Sequence, residues 1–275
     1  MVFFDKCDVA VNGTGIMADS ASLSSENVLT PIYVVGYKGI KDNSPGGNIK
    51  NTFQINYFIE PNRSPNFSII NDIKTFTNDN TWTPQTVEIG TITGFSSYLQ
   101  SFNLKVPLNQ PAKASVSYVS FNPTSGVLQD SIGSIGYDET SELNLLHGWS
   151  TFITSSGNYT SIKIFDFEYG ITVNWSPIYT LGRFYPNQVE LMGGAERLTI
   201  VTDNFYEANF YGTGVDEKIF NFGADTSIDL FGFKRVDTNF PMLSIGVNGL
   251  KLESSQLEAG LDDKVKVRLQ MVRYF

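Results

Sequence analysis

His147 is the only histidine of the chain and the first residue to examine for chemistry. One histidine cannot build a metal site from several imidazoles, and a Ser-His-Asp triad would depend on it entirely. Its surroundings, Leu-Leu-His-Gly-Trp-Ser, are not a nucleophile motif, and the chain contains neither a Gly-x-Ser-x-Gly elbow nor a P-loop. We therefore expect a structural role for His147 and no enzymatic activity.

Carboxylates are abundant, as in any acidic chain, and three pairs could be considered for acid-base work. Hydrolysis of a glycosidic bond needs two carboxylates that face each other across the sugar, and sequence spacing in a β-rich chain does not establish that geometry. The pairs therefore carry no prediction of catalysis. They are Asp138 with Glu139, Glu190 with Glu196, and Asp262 with Asp263.

Metal and disulfide chemistry also finds little support in the sequence. Cys7 is the only cysteine, so the chain has no internal disulfide, cysteine-based metal site or redox pair. This suits assembly in a reducing cytoplasm. Asp216, Glu217 and Asp225 could bind calcium if their loops converged, but their spacing is not that of an EF-hand, and we expect a solvated loop. No metal or cofactor is predicted.

The charge balance excludes further classes of function. The chain has 28 acidic and 19 basic residues, for a net charge of -9. Its lysines and arginines are scattered singly, which disfavours binding to nucleic acid. No apolar run approaches the roughly 18 residues of a membrane helix, and residues 1–11 lack the basic start of a secretion signal. We expect neither a membrane span nor export by that route.

The elements that position these residues are organised around a repeated motif. Thr30–Gly36 reads Thr-Pro-Ile-Tyr-Val-Val-Gly, and Ser176–Gly182 reads Ser-Pro-Ile-Tyr-Thr-Leu-Gly, 146 residues later (176 - 30). Each copy is followed by a polar loop and a Gly-Gly pair, Gly46-Gly47 or Gly193-Gly194. The repeat predicts that these segments occupy equivalent places in two halves of the chain.

A second echo follows in the same order. Gln100–Leu104 leads into an alternating strand, and so does Ser254–Leu257, with Leu257 lying 153 residues after Leu104 (257 - 104). Two matches at similar offsets predict a duplicated domain of about 150 residues and not a short solenoid repeat. The predicted units are residues 1–123 and 143–275, joined by a connection over 124–142.

Hydrophobic periodicity and turn signals predict a mainly β fold, in which each unit is a β-sandwich or curled sheet. Ile32–Val35 is predicted to be the buried part of a strand, Asp42–Gly47 a loop, and Phe53–Ile59 a half-buried strand. Residues 64–77 carry helical spacing after a Ser-Pro start, which predicts one flanking α-helix. Residues 264–275 alternate as a terminal strand tucked into a sheet.

The tryptophans offer a competing interpretation. Trp82, Trp149 and Trp175 could form a platform on which sugars stack, as in a β-rich module that recognises carbohydrate or a capsid surface. Trp175, however, stands where the first copy of the repeat has Leu29, which favours core packing. A doubled, acidic β unit without a catalytic site instead suits a self-assembling subunit. Three such chains could close a ring with six near-equivalent positions.

The two motif regions, Pro-Ile-Tyr-Val-Val-Gly and Trp-Ser-Pro-Ile-Tyr-Thr-Leu-Gly-Arg followed by Tyr-Pro, resemble segments of tailed-bacteriophage virion proteins of the tail-tube and baseplate-tube type. The resemblance implies a homo-oligomer of trimeric or hexameric rings, stacked into a tube within the virion tail. It also implies contacts with other tail proteins, and DNA only as cargo passing an electronegative lumen. The second unit departs from this pattern, because nothing in it matches the predicted helix.

On this resemblance, two loops are expected to reach the adjacent ring. The expected contact residues are Asp42, Asn43, Gly46, Gly47, Tyr185, Asn187, Gly193 and Gly194.

Overall fold

The structure of the protein is a computed structural model. The structure describes residues 9–16, 18–33, 35–36, 38, 42–59, 69, 72–73, 75–76, 81–107, 110–126, 146–155, 158–160, 164–181, 183, 185–202, 226–232, 243–246, 249–258 and 266–275. Several residues considered above lie outside this part, as do the side chains of His147 and Trp149. These residues are Cys7, Asp138, Glu139, Asp216, Glu217, Asp225, Asp262, Asp263 and most of the predicted connection over 124–142.

The described residues form fifteen strands, and the prediction of a mainly β chain is confirmed. The strands are β1 (Val9–Val11), β2 (Thr14–Ile16), β3 (Ala18–Ile32), β4 (Asp42–Phe58), β5 (Gln85–Ile89), β6 (Ile92–Pro107), β7 (Lys113–Ser120), β8 (Leu146–Ser155), β9 (Asn158–Thr160), β10 (Ile164–Ile178), β11 (Gln188–Thr202), β12 (Thr226–Gly232), β13 (Leu243–Gly246), β14 (Lys251–Glu258) and β15 (Lys266–Tyr274).

Eleven of these strands form one antiparallel sheet that runs through both halves of the chain. Across the sheet the order is β14-β15-β11-β10-β6-β7-β4-β3. The N-terminal part of β6 also pairs with β5, which continues into β1 and β2. A separate sheet has the order β13-β12-β8-β9. The central strand β6 therefore joins the two halves.

The core lies along the large sheet, where strand alternation places one face inward. Phe53, Ile55, Tyr57 and Ile59 are all buried, which confirms the predicted strand over Phe53–Ile59. The terminal strand is also confirmed. It is β15, which pairs with β11 on one side and β14 on the other, and Leu269 and Met271 are buried.

Two predictions around the first motif are wrong. β3 ends at Ile32, and the side chain of Val35 is fully exposed, so Ile32–Val35 is not a buried strand segment. Asp42 begins β4 and pairs with Ile32, so Asp42–Gly47 is not a loop. The reason is that long-range pairing carries the hairpin beyond the Pro-Gly-Gly signal. Gly46 and Gly47 lie at a β-bulge, between Pro45, paired with Leu29, and Ile49, paired with Asn27.

The predicted helix over residues 64–77 lies mostly outside the described residues, and no complete helix is described. The backbone is helical at five described positions, including Ile69, Ile73 and Phe76. These three side chains are buried in the same core cluster as the sheet residues. They are residues of the predicted apolar helix face.

Candidate assembly surfaces

The contact between the two halves is a pairing of whole strand segments. Residues 101–107 of β6 pair antiparallel with residues 166–172 of β10 through seven matched positions. Phe102 and Leu104 on β6 and Phe167 and Tyr169 on β10 are buried, and the rings of Phe102 and Tyr169 meet edge to face with their centroids 6.4 Å apart. We call this pairing the internal junction. It combines backbone hydrogen bonds with a continuous apolar face.

Trp175 closes one end of the internal junction. Its indole Nε1 donates a hydrogen bond of 2.6 Å to the carbonyl oxygen of Leu99, which lies on β6 between the segment paired with β5 and the segment paired with β10. Its ring packs on Tyr98, with a centroid distance of 5.0 Å, and on Phe76 at 6.2 Å. Trp175 is half-buried against the core, as the sequence comparison with Leu29 favoured.

A buried ion pair stands beside the internal junction. Glu196 on β11 is 1% exposed, accepts a hydrogen bond of 2.8 Å from the Tyr169 hydroxyl, and lies 2.5 Å from Arg273 Nη2 on β15. Burial raises the pKa of the Glu196 carboxyl, while Tyr169 and Arg273 act to lower that pKa. Glu190, considered with it as a catalytic pair, is exposed and accepts a hydrogen bond from Gln188. Glu196 thus connects β11 with its two neighbours, β10 and β15.

Replacing Glu196 with alanine is expected to destabilise the fold by about 3–5 kcal/mol, because it removes the acceptor of both the buried Tyr169 hydroxyl and the Arg273 guanidinium. Glu196→Gln is the matched control, since it removes the charge but keeps an acceptor for Tyr169. Urea denaturation would compare the free energies of unfolding. The expectation fails if the alanine variant loses less than about 1 kcal/mol, the size expected of a surface pair.

The pH dependence of the same pair has a definite sign. The folded pKa of Glu196 lies above its ordinary value of 4.5, so its contribution to stability is complete below that value and is lost as the pH rises through the folded pKa. Wild-type protein is therefore expected to lose stability relative to Glu196→Gln as the pH rises from about 4.5. Thermal melts of the two proteins across this range would measure the difference.

The repeated motif lies at the ends of two long hairpins. β3 and β10 are both 15 residues long, and each motif begins in the last residues of its strand. β3 spans 18–32 and β10 spans 164–178, which are 146 residues apart at both ends (164 - 18 and 178 - 32). The following strands, β4 and β11, begin 146 residues apart as well (188 - 42).

Both hairpin ends expose apolar side chains. Val35 and Leu181 are 104% and 105% exposed, and they occupy the same place in the two motifs. Tyr33 is 70% exposed, and Ile32 and Ile178 are 40% and 39% exposed. Apolar side chains gathered on an exposed surface mark sites of interaction more often than scattered single ones. We call residues 32–36 and 178–185 the hairpin tips.

The predicted contact residues divide between the hairpin tips and the strands. Tyr185 is exposed within the second tip. Asn187 closes this hairpin, because its amide donates to the carbonyl of Ile178 at 2.7 Å and its side chain accepts from Arg183 at 3.2 Å. The backbones of Asp42 and Asn43 pair with β3 at the base of the first tip. The side chains of Asp42 and Asn43 lie outside the described residues, and the backbones of Gly46 and Gly47 lie at the β-bulge of β4.

Gly193 and Gly194 lie inside β11 and not in the preceding loop as predicted. Gly194 exchanges backbone hydrogen bonds of 2.8 and 3.2 Å with Phe275. A Cβ on Gly194 would stand 2.4 Å from the carbonyl oxygen of Thr172, and Gly193 has a φ of +126° with Phe275 also against it. These glycines allow the close approach of a neighbouring strand end. Sequence reasoning identified the pair but not this reason for it.

Metal sites and membrane-spanning helices are two further features to consider among the described residues. Within them, no three His, Cys, Asp or Glu side chains are grouped so as to hold a metal ion. The part of the chain that the structure describes also contains no helix that is long and apolar enough to cross a membrane. Comparison with known proteins gives no further guidance, since no protein-family model and no curated protein matches the chain.

Proposed function

We propose that this protein is a structural subunit that joins copies of itself, edge to edge, into rings that stack as a tube, and that it serves in a bacteriophage tail. The observation that carries the proposal is the internal junction, in which β10 of the second half pairs with β6, the strand at the edge of the first half. The same kind of contact between chains would build a ring.

The proposal requires that the two halves are copies of one unit, and the strand order supports this. The first half has the order β3-β4-β7-β6, and the second has β10-β11-β15-β14. In each half, the second strand of the first hairpin pairs with the second strand of the other hairpin. The pairing β4·β7 corresponds to β11·β15, so the two four-stranded units have the same connectivity.

The β-bulges supply an independent argument. In each unit the pairing of the second hairpin shifts by one residue at a single place, and the two places are 153 residues apart (252 - 99), the offset of the sequence echo. Bulges are retained within families because they fix twist and register. The flanking pairs are Leu99 with Tyr118 and Ser101 with Ser117 in the first unit, and Leu252 with Met271 and Ser254 with Gln270 in the second.

Equivalent positions also hold buried polar side chains. Asn51 on β4 pairs with Ser120 on β7, and Glu196 on β11 pairs with Arg273 on β15. Asn51 and Glu196 are each only 1% exposed. The β7 and β15 partners are again 153 residues apart (273 - 120). Asn51 and Glu196 are 145 residues apart (196 - 51), one fewer than the motif offset, and it is the strand pairings that align them. A buried polar residue at one strand position in both units is unlike a chance match of apolar patterns.

Unit order makes the assembly directional. Within one chain, β6 of the first unit meets β10 of the second, so the contact joins two different edges. Such head-to-tail contacts generate a closed ring when the rotation per unit divides a full turn. Three chains would supply six units. The exposed hairpin tips, two in each chain, then suit contacts with the next ring or with another tail protein.

The acidic composition fits a conduit better than a nucleic-acid binder. A net charge of -9 repels the phosphate backbone, so DNA passing through such a tube would not adhere to it. The proposed place of action is the virion tail, after assembly in the host cytoplasm. The proposal involves no enzymatic activity, cofactor or membrane insertion.

The test is the state of assembly of the purified chain. Sedimentation velocity over a wide concentration range, followed by negative-stain electron microscopy, is expected to show rings or tubes with three-fold or six-fold symmetry. A chain that stays monomeric at every concentration tested would contradict the proposal.

A second candidate is a module that binds carbohydrate or a capsid surface through aromatic side chains. The tryptophan platform gains no support from Trp82, which is buried, or from Trp175, which packs in the internal junction. The exposed tyrosines of the tips, Tyr33 and Tyr185, are what favours this candidate. Retention of a monomer on immobilised glycans, lost in a Tyr33→Ala and Tyr185→Ala double variant, would support it over ring formation.

A further inference from the structure

We infer that β14 of one copy pairs antiparallel with β3 of the next copy, in the register that places Gln256 opposite Ser24. This inference rests on the proposed function and adds the surface, the partner strand and the register. The occupant of each edge is thus a second copy of this chain. The internal junction is the template for this contact.

The register follows from the two offsets. In the internal junction, Asn103 on β6 lies opposite Gly170 on β10. Adding 153 to the β6 position gives Gln256 on β14 (103 + 153), and subtracting 146 from the β10 position gives Ser24 on β3 (170 - 146). The pair of Ser101 with Thr172 likewise becomes Ser254 with Glu26. Five of the seven template pairs, those of residues 101–105 of β6, fall on residues 254–258 of β14 when transferred in this way.

Both strands are edges among the described residues. β14 pairs with β15 and β3 pairs with β4, and neither has a second partner strand in the part of the chain that the structure describes. β3 is 15 residues long, and between Ala18 and Leu29 it contains no proline or lysine that would protect an edge from pairing. The side chains of Ser22, Ser24 and Ser25 are exposed. Such an edge is a ready template for another strand.

Side chains along the two edges suit the transferred register. Leu104 and Tyr169, which lie opposite each other in the internal junction and are both buried, correspond to Leu257 and Leu23. Leu23 is only partly buried in the isolated chain, although it packs against the core. Pairing with β14 of a second copy would cover Leu23 and remove its remaining apolar surface from water.

One departure predicts that the contact between chains is weaker than the internal junction. Trp175, whose indole satisfies the carbonyl of Leu99, corresponds to Leu29, which has no donor to offer Leu252 of the neighbouring chain. A buried hydrogen bond contributes about 0.5–1.5 kcal/mol. The internal junction within each chain is therefore expected to stay intact under conditions that separate the chains.

Disulfide trapping tests the register. In a Cys7→Ser background, Ser24→Cys and Gln256→Cys are combined in one chain and oxidised under conditions in which sedimentation shows assembly. Opposite positions on antiparallel strands have Cα separations of about 4.5–5.5 Å, within the range that a disulfide spans. Non-reducing electrophoresis is expected to show covalent dimers and a closed oligomer. The yield is expected to exceed that of either single-cysteine variant at least tenfold.

Two matched pairs serve as controls. Asn103→Cys with Gly170→Cys probes the same pair in the internal junction, and it is expected to give a disulfide within one chain. Ser22→Cys with Gln256→Cys probes a register shifted by two residues along β3, and it is expected to cross-link at least tenfold more slowly than the predicted pair. Each variant is assayed for assembly before oxidation.

The outcomes separate the inference from the proposed function. Rings in which the shifted pair cross-links faster, or in which neither pair does, overturn the inference and leave the ring proposal standing. A disulfide between positions 24 and 256 confined to single chains also overturns the inference. A protein that remains monomeric and does not cross-link overturns both.

Discussion

A chain carrying Val35→Asp together with Leu181→Asp is expected to fold as the wild type does and to form single rings that no longer stack. Both side chains are fully exposed, so their replacement removes no core contact. If the tips pack on the next ring, each substitution removes roughly 1.5–3 kcal/mol of apolar burial and adds a charge that must be desolvated. Stacking would weaken by about two orders of magnitude or more, since about 1.4 kcal/mol corresponds to a factor of ten.

The measurement is the length distribution of particles in negative-stain images, together with the thermal unfolding midpoint. Thr83→Asp with Gln110→Asp is the control, because these two exposed polar residues lie outside the tips and receive the same charge. The control is expected to stack normally. Long tubes formed by the tip variant would show that the tips do not carry the contact between rings.

Trp175→Ala is expected to cost about 3–5 kcal/mol of stability, the range for removal of a large aromatic side chain from packed surroundings. The substitution removes the contacts with Tyr98 and Phe76 and leaves the carbonyl of Leu99 without its donor. The internal junction would open at that end. Because the internal junction joins the two halves of the chain, the variant should unfold in two resolved steps or fail to fold.

Trp175→Phe separates packing from hydrogen bonding. It keeps an aromatic ring near Tyr98 but cannot donate to Leu99, so the expected loss is about 1–3 kcal/mol, the cost of leaving a buried acceptor unsatisfied. Chemical denaturation followed by tryptophan fluorescence and far-ultraviolet circular dichroism would show whether the transitions coincide. An alanine variant as stable as the phenylalanine variant would contradict the assigned role.

The sequence predicted those parts of the fold that depend on local alternation. Phe53–Ile59 and the terminal strand follow a two-residue period, and the side chains that the period assigns to the core are buried where the structure describes them. The motif repeat placed Tyr33 and Tyr179 in corresponding segments, and both follow the end of a 15-residue strand. Local pattern and motif spacing were sufficient there because no distant partner decides them.

Strand ends were predicted less well, because they depend on pairing between distant segments. Ile32–Val35 has the composition of a buried strand, yet Val35 is exposed, because the pairing of β3 with β4 ends at Ile32. The Pro-Gly-Gly sequence after Asp42 indicates a loop, but the long partner strand holds these residues in β4. The long-range pairing with β3 therefore outweighs the local turn preference of these residues.

The contacts at the internal junction could not be predicted from the sequence, because they too depend on pairing between distant strands. The hydrogen bond from Trp175 to Leu99 and the ion pair of Glu196 with Arg273 depend on which residues face each other across strands. A bulge changes that register by one residue and leaves only a weak trace in composition. The 146-residue and 153-residue offsets can be read from the sequence, but which residues face each other across strands is known only from the strand pairings.

The double pairing of β6 has a kinetic consequence. Residues 101–105 of this strand pair with β7 along one edge and with β10 along the other, so both pairings must open before this segment is released. Native-state hydrogen exchange should therefore find the slowest protons of β6 within residues 101–105. Because β10 lies far along the chain from β6, this protection should appear late in refolding, after the hairpins have formed.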